Sequence, residues 1–165
     1  MSSFFEKISR GYGVVVKGGN LLQPVLLLAI RLYWGWQFFQ SGLGKLKDLG
    51  QVAEFFGTLG IPFPMVNATV AAIVECGGGL LLLIGLATRL ASVPLIITMI
   101  VAYVTADKEA VDAIFSDPDK FLGATPFLFL FASLILLVFG PGVFSVDYLI
   151  KRFVDRKASA PGKSG

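Results

Sequence analysis

Apolar residues along this chain fall into long blocks instead of recurring at a helical or strand period. Four blocks stand out, at residues 21–43, 65–86, 90–106 and 121–143. The hydrocarbon core of a bilayer takes about 20 apolar residues per helix. The pattern therefore predicts an all-α protein, a bundle of four transmembrane helices with little mass left for a separate soluble module.

The first connection, residues 44–64, carries a helical pattern of its own. Its apolar positions repeat at helical spacing and are Leu49, Val52, Ala53, Phe55, Phe56 and Leu59. We therefore expect a short amphipathic helix in the membrane interface between spans one and two. Gly60, Pro62 and Pro64 predict that the chain then turns back into the bilayer.

The other connections and the two ends set the predicted organisation. The link at residues 87–89 is so short that spans two and three should be antiparallel neighbours, and the connection at 107–120 is acidic. Residues 1–20 are polar and lack a signal-peptide pattern, so the first span is expected to be retained. The transmembrane domain is predicted at 21–150, followed by a basic, disordered tail at 151–165.

Lys and Arg residues are distributed unevenly between the two predicted sides of the membrane. The side with both termini and the 87–89 link carries most of them. The opposite side carries Lys45, Lys47, Lys108 and Lys120. Because basic residues concentrate on the cytoplasmic side, both termini are predicted to be cytoplasmic. The formal charge of +3 is thus attributed to topology, and no nucleic-acid partner is predicted.

The composition excludes several kinds of site within this chain. It contains no His and a single Cys, Cys76. A bis-His haem site, the usual zinc sites, a Ser/His/Asp triad and an internal disulfide are therefore excluded, and no metal site is predicted. Cys76 is interpreted as a small buried apolar residue. The run Gly77-Gly78-Gly79 lies inside an apolar span, so it is interpreted as a packing feature.

Arg31 and Glu75 are the two charged residues inside the predicted spans. Inserting a charged residue near the centre of a membrane helix costs about 2.5–3.5 kcal/mol on insertion scales, and pairing the two charges would reduce this cost. Counted from Pro24, near the start of span one, and from Leu86, at the end of span two, their depths differ by roughly one helical turn. The small residues on the same helical stripes, expected to pack helix against helix, are Gly35, Gly42, Gly78 and Gly79.

We therefore predict that Arg31 and Glu75 form a buried charge pair inside the bundle. Two interpretations of that pair stay open. It either fixes the register of the helices as a structural element, or it lies in a cavity where it binds a polar group or relays protons.

A second set of polar residues lies nearer the predicted outer side, on spans one, two and three. The candidate quinone or polar-ligand site consists of Gln37, Gln40, Lys45, Asn67 and Tyr103, with Ser41 and Asp107 nearby. A quinone head group needs such hydrogen-bonding groups beside apolar walls. The alternative interpretation is interfacial anchoring, with Trp34 and Trp36 as bundle or lipid contacts.

Four segments, taken in order, resemble the DoxX family. They are RLYWGWQFFQSGLGKL (31–46), FFGTLGIPFP (55–64), ECGGGLLLLIGLATRLAS (75–92) and GPGVFSVD (140–147). Residues that match the family pattern in the first two spans and their turn are Arg31, Gly42, Lys45, Leu46, Leu59, Gly60, Ile61, Pro62, Glu75, Gly78 and Gly79. Those that match its closing segment are Gly140, Pro141, Gly142, Ser145 and Asp147.

This resemblance implies a four-span protein of the bacterial or archaeal cytoplasmic membrane. Some relatives are named as small subunits of quinone-linked oxidoreductases that handle thiosulfate or terminal oxidation, and others are linked to oxidative-stress complexes. The expected function is therefore an accessory or quinone-binding subunit of a membrane oxidoreductase complex. Other membrane or redox subunits, or further copies of this chain, would be its partners in the bilayer. A small transporter or lipid-interacting protein, and a structural scaffold, are the alternatives.

Overall fold

All regular structure in the described part of the chain is helical. The computed structural model describes the backbone of residues 2–158 and the side chains of residues 11–157. In chain order the helices are α1 (Ser2–Lys47), α2 (Leu49–Thr58), α3 (Pro64–Ile84), α4 (Thr88–Thr105), α5 (Lys108–Asp112), α6 (Pro118–Gly123), α7 (Thr125–Phe139) and α8 (Val146–Ala158). The all-α prediction is confirmed.

Three helices are long and apolar enough to cross a bilayer. They are the Gly11–Lys47 part of α1, and the whole of α3 and α4. The remaining apolar helix, α7, has 15 residues. That length is about 22 Å, short of a hydrocarbon core of about 30 Å. It is shorter than its apolar block because Ala124 is extended before it and Gly140, at φ 77°, ends it. The chain is a multi-pass membrane protein with three full-length candidate spans and one shorter apolar helix.

Helix extends to both ends of the described chain. Residues 2–20 are helical and continuous with the first span, because α1 runs unbroken from Ser2 and contains Pro24 in its interior, and their place outside the transmembrane domain stays a prediction. Residues 151–158 are not disordered, because they belong to α8. The rest of the predicted tail, residues 159–165, lies outside the described residues.

The connection between α1 and α3 forms the predicted amphipathic helix, α2. Asp48 caps it, since its carboxylate accepts a hydrogen bond from the Gln51 N–H at 3.1 Å. Ala53 is the buried residue of this helix, which packs against α3. Gly60 and Phe63, both with positive φ, then turn the chain into α3. The helix is confirmed, whereas its position in the interface stays a prediction.

The packing of α1 against α3 is the most extensive in the bundle. The helices run antiparallel, since Gly35 faces Gly79 while Gly42 faces Ala72 and Cys76. A Cβ atom on Gly42 would lie 2.7 Å from the Ala72 carbonyl oxygen, and one on Gly79 would lie 2.7 Å from that of Gly35. The two backbones are therefore in direct contact, which only glycine permits at these positions.

The other helices complete the bundle around this pair. A Cβ on Gly78 would meet the Leu95 side chain of α4 at 3.0 Å, so this glycine accommodates α4 instead of α1. α4 in turn packs against α7. The large apolar side chains that are fully buried at the centre are Phe38, Leu82, Leu95 and Leu136. These contacts join all four apolar helices in one core.

The acidic connection carries its charges on two short helices, α5 and α6. Lys120 of α6 donates to Glu109 of α5 at 2.8 Å, and Lys108 donates to Asp112 at 2.6 Å. The hydrogen bond from Lys120 lowers the pKa of the Glu109 carboxyl below its usual value. All four side chains are exposed, so these pairs contribute little to stability.

We expect Gly42→Ala and Gly79→Ala to destabilise the bundle by about 1–3 kcal/mol, the usual cost of overpacking. Gly77→Ala is the matched control, because a Cβ at Gly77 meets nothing within 4 Å. It should be neutral or stabilise by up to about 1 kcal/mol through helix propensity. Thermal unfolding in one detergent measures all three, and equal melting temperatures for the three variants would contradict the packing described above.

Candidate functional site

A cavity of about 350 Å³ lies at the end of the bundle where α1 ends and α3 begins. Helices α1, α3, α4 and α7 form its walls, and α2 with the turn after it contributes the remaining side. Most of the lining is apolar or aromatic and includes Phe38, Phe55, Phe56, Leu59, Ile61, Met99 and Phe129. The volume is near the lower end of the range of ligand pockets, about 300–1,000 Å³.

An ion pair forms the polar part of this cavity wall. The Lys45 ammonium donates to the Glu75 carboxylate at 2.5 Å and to the Ser41 hydroxyl at 2.8 Å. The Glu75 side chain is 3% exposed and that of Lys45 is 25% exposed. An ammonium carries three N–H donors. Two have acceptors among the described residues, so one remains for a molecule in the cavity.

Further polar residues, Asn67 and Asp107, also line the cavity. The Asn67 side-chain amide donates to the Pro62 carbonyl at 2.6 Å, which ties the start of α3 to the turn before it. Asp107 follows α4 and also lines the cavity. The cavity therefore combines a mainly apolar interior with one ion pair and a few polar groups, as small-molecule sites commonly do.

Part of the cavity lining belongs to residues that lie at the outer surface of the bundle. Val70 on α3, and Ile97 and Val101 on α4, line the cavity and are at the same time exposed on the outside of the helices. Both helices are long enough to span a bilayer. In a membrane the exposed sides of these residues would face acyl chains.

The structure brings together only part of the predicted ligand site. Lys45 and Asn67 line the cavity, whereas Gln37 and Gln40 do not. Tyr103 is buried elsewhere: its hydroxyl donates to the Phe121 carbonyl at 2.9 Å, and its ring stacks on that of Phe121. Tyr103 therefore connects α4 to α6. Glu75, predicted as the partner of Arg31, is the residue that completes the site.

The predicted pairing of Arg31 with Glu75 is wrong. Both side chains are buried, but each has another partner. In the antiparallel register Arg31 lies against Gly85, ten residues after Glu75 and therefore about 15 Å along α3. The predicted depths were counted from Pro24 as the start of span one, and α1 continues far beyond it.

Arg31 holds the segment between α7 and α8 against α1. Its guanidinium donates to the Pro141 carbonyl at 2.8 Å and to the Phe144 carbonyl at 2.7 Å. A planar guanidinium supplies such divergent donors in a fixed geometry, which a lysine ammonium cannot reproduce. A Cβ on Gly85, itself at φ 70°, would lie 2.6 Å from the guanidinium, so glycine is needed there.

Asp147 fastens the same segment to the turn between α3 and α4. Its carboxylate accepts hydrogen bonds from the N–H groups of Ala87 at 2.7 Å and Thr88 at 3.0 Å, at the start of α4. Its own N–H donates to the Gly85 carbonyl at 2.9 Å. Ala87 has φ 48°, an unfavourable conformation for alanine that these contacts help to hold.

Two functional features were missed by reasoning from the sequence. One is the role of Arg31 and Asp147 as a latch, by which we mean their contacts with residues 141–144 and 85–88. The other is the contribution of Phe55 and Phe56 of α2 to the cavity. For the latch, the sequence indicates only that Asp147 precedes an apolar pattern at helical spacing and can therefore cap a helix. Nothing in the sequence indicates that its partner, Ala87, is sixty residues away.

Asp147→Ala should destabilise the protein by about 0.5–2 kcal/mol, because two N–H groups at the start of α4 lose their acceptor. Arg31→Lys should be destabilising as well, since a buried carbonyl left unpaired costs about 1–3 kcal/mol. Asp119→Ala, on exposed α6, is the matched control and should be neutral. Thermal unfolding tests this, and an Asp147→Ala variant as stable as Asp119→Ala would refute the latch.

Comparison with known proteins relates the chain to a family of membrane proteins. An uncharacterised membrane protein of Mycobacterium tuberculosis is 33% identical over 151 residues, which cover 84% of this chain and 87% of that protein. CatD of Bacillus subtilis, whose name assigns it provisionally to the oxidoreductases, is 39% identical over 83 residues, 50% of this chain and 60% of CatD. The inner membrane protein YphA of Escherichia coli is 31% identical over 67 residues, 41% of this chain and 48% of YphA.

No solved structure matches this chain. The DoxX family model matches residues 26–108. That range contains Arg31, the Lys45–Glu75 ion pair and most of the cavity walls. Together with a relative that is similar over most of both lengths, this match shows that the chain belongs to the DoxX family.

Proposed function

We propose that this chain is a quinone-binding subunit of an oxidoreductase complex in the bacterial inner membrane. The observation that carries the proposal is the cavity, in which the Lys45–Glu75 ion pair forms the polar end of an otherwise apolar and aromatic chamber. A quinone has the complementary shape, with carbonyl oxygens on a flat ring and an apolar tail. The remaining N–H donor of Lys45 fits one of those carbonyl oxygens.

The entrance that we propose lies between α3 and α4 and suits a ligand that is dissolved in the membrane. Val70, Ile97 and Val101 line the cavity and are exposed on the outside of these helices, which supports this entrance. A quinone partitions into the acyl region and can enter there with its tail trailing between α3 and α4. A water-soluble substrate has no comparable reason to use such an entrance.

A partner protein completes the proposed function. The sequence contains no His and a single Cys, which excludes the common protein-ligated redox centres within this chain. Electrons exchanged with a bound quinone would therefore come from or go to another subunit. The provisional oxidoreductase name of CatD and the inner-membrane name of YphA agree with this assignment.

Orientation and the fourth crossing belong to the same proposal. We place both termini on the cytoplasmic side, as the distribution of Lys and Arg predicts. α7 then completes the fourth crossing although it is short, since local thinning of the bilayer can accommodate a short helix at modest cost. The cavity lies at the outer end of the bundle in this arrangement.

Binding of a short-chain quinone to the purified chain in nanodiscs tests the proposal. Trp34 packs on Phe129, a cavity residue, with ring centroids 4.9 Å apart, so its fluorescence should report an occupant. We expect saturable quenching and at least about tenfold weaker binding for Lys45→Met, since a charge-assisted hydrogen bond contributes about 1.5–3 kcal/mol. Glu75→Gln should also weaken binding.

Matched controls separate cavity effects from loss of charge. Lys47→Met removes the same charge two residues away, and Glu54→Gln removes an exposed carboxylate from α2; neither residue lines the cavity. Both variants should bind quinone like the unmodified chain. Unsaturable quenching, or equal affinity in Lys45→Met and Lys47→Met, would contradict quinone binding. A phospholipid retained in the cavity instead would point to the lipid-interacting alternative.

A further inference from the structure

α8 is an amphipathic helix with several basic residues, of which Lys151, Arg152 and Arg156 lie outside its apolar face and Lys157 lies at the C-terminal end of that face. Its apolar residues are Val146, Leu149, Ile150, Phe153 and Val154, which recur at the three- and four-residue spacing of one helical face. Its basic residues are Lys151, Arg152, Arg156 and Lys157. Such a helix, with an apolar face beside several cationic side chains, is typical of a segment that lies on a membrane surface.

The apolar face of α8 is not used by the rest of the described chain. Leu149, Ile150, Phe153 and Val154 are each about half exposed or more, and Phe153 is 67% exposed. The helix has no extensive packing against any of the other helices in residues 2–158. In water, a patch of adjoining exposed apolar side chains of this kind is unfavourable, so something apolar is expected to cover it.

The start of α8 is fixed at one end of the bundle. Asp147, in its first turn, is hydrogen-bonded to Ala87 and Thr88 at the start of α4. The Tyr148 N–H donates to the Ser145 hydroxyl at 3.2 Å, which adds a local cap. Only residues 140–145 separate α8 from the end of α7. Because α4 is a candidate membrane span that begins there, we expect the start of α8 at the boundary between bilayer and water.

We infer that α8 lies along this membrane surface and binds anionic phospholipid head groups. Its apolar face enters the acyl boundary, while Arg152, Arg156 and Lys151 contact lipid phosphates. The charges support this partner, because α8 contains four basic and two acidic side chains. One of the two acidic side chains, Asp147, is hydrogen-bonded to the start of α4. Lys and Arg near an anionic leaflet are attracted to it, and Arg binds phosphate with paired donors.

An environment-sensitive label on α8 tests this inference independently of the cavity. Cys76 is the only cysteine, so Cys76→Ala gives a background for single labels. A nitrobenzoxadiazole label is placed at Phe153→Cys on the apolar face, or at Tyr148→Cys, about 140° away around the helix. Each protein is reconstituted as one copy per nanodisc, in phosphatidylcholine alone or with added phosphatidylglycerol.

The label at position 153 should emit at shorter wavelength than the label at 148 and be quenched at least about twofold more by spin-labelled lipid. Phosphatidylglycerol should increase this difference, and the double variant Arg152→Gln/Arg156→Gln should reduce the increase. Lys108→Gln/Lys120→Gln is the matched control, because it removes the same charge from the acidic connection and should change nothing.

Two results would overturn the placement of α8 on the membrane surface. In the first, the label at 153 reports water in single-copy discs of both lipid compositions, as the label at 148 does. In the second, the label at 153 is shielded only in discs that hold two copies, which would assign the apolar face to a second chain. A response that is independent of phosphatidylglycerol would overturn the recognition of anionic lipid specifically.

Discussion

Direct backbone contact between α1 and α3 determines where the charged residues of this protein can meet. Gly42 lies against Ala72 and Cys76, and Gly79 lies against Gly35. This contact brings the helices close enough for Lys45 to reach Glu75, and it places Arg31 beside Gly85. A side chain larger than hydrogen at Gly42 or Gly79 would push the two helices apart. It would thereby disturb both the Lys45–Glu75 ion pair and the position of Arg31 beside Gly85.

The two buried charges consequently act at different depths of the bundle, Arg31 at the end of α3 and Glu75 near its middle. Arg31 is held by backbone carbonyls and fastens the connection to α8, so its contacts are those of a structural residue. Glu75 has a partly exposed cationic partner, Lys45, and both residues line the cavity. A buried ion pair is weak evidence for stability, because desolvation offsets most of the attraction. Its place at a cavity wall is better explained by the ligand we propose.

Most of the fold and about half of the site follow from the sequence alone. The apolar blocks predict the long helices, the spacing from Leu49 to Leu59 predicts α2, and Lys45 and Asn67 are recognised as polar groups near one end. The register is not predictable in this way, because composition does not fix where each span begins, and Pro24 lies inside α1 instead of at its start. Tyr103 was misplaced for a related reason: its rotational position on α4 depends on packing against α6, which no periodicity reveals.

A double-mutant cycle on unfolding free energy in one detergent tests the central claim most directly, that Glu75 is paired with Lys45 and not with Arg31. Lys45→Met, Arg31→Gln and Glu75→Gln are measured singly and in the two pairs that contain Glu75. The account predicts a coupling of about 0.5–3 kcal/mol between Lys45 and Glu75, and additivity within about 0.5 kcal/mol for Arg31 and Glu75. Strong coupling between Arg31 and Glu75, with additivity for Lys45 and Glu75, would contradict it.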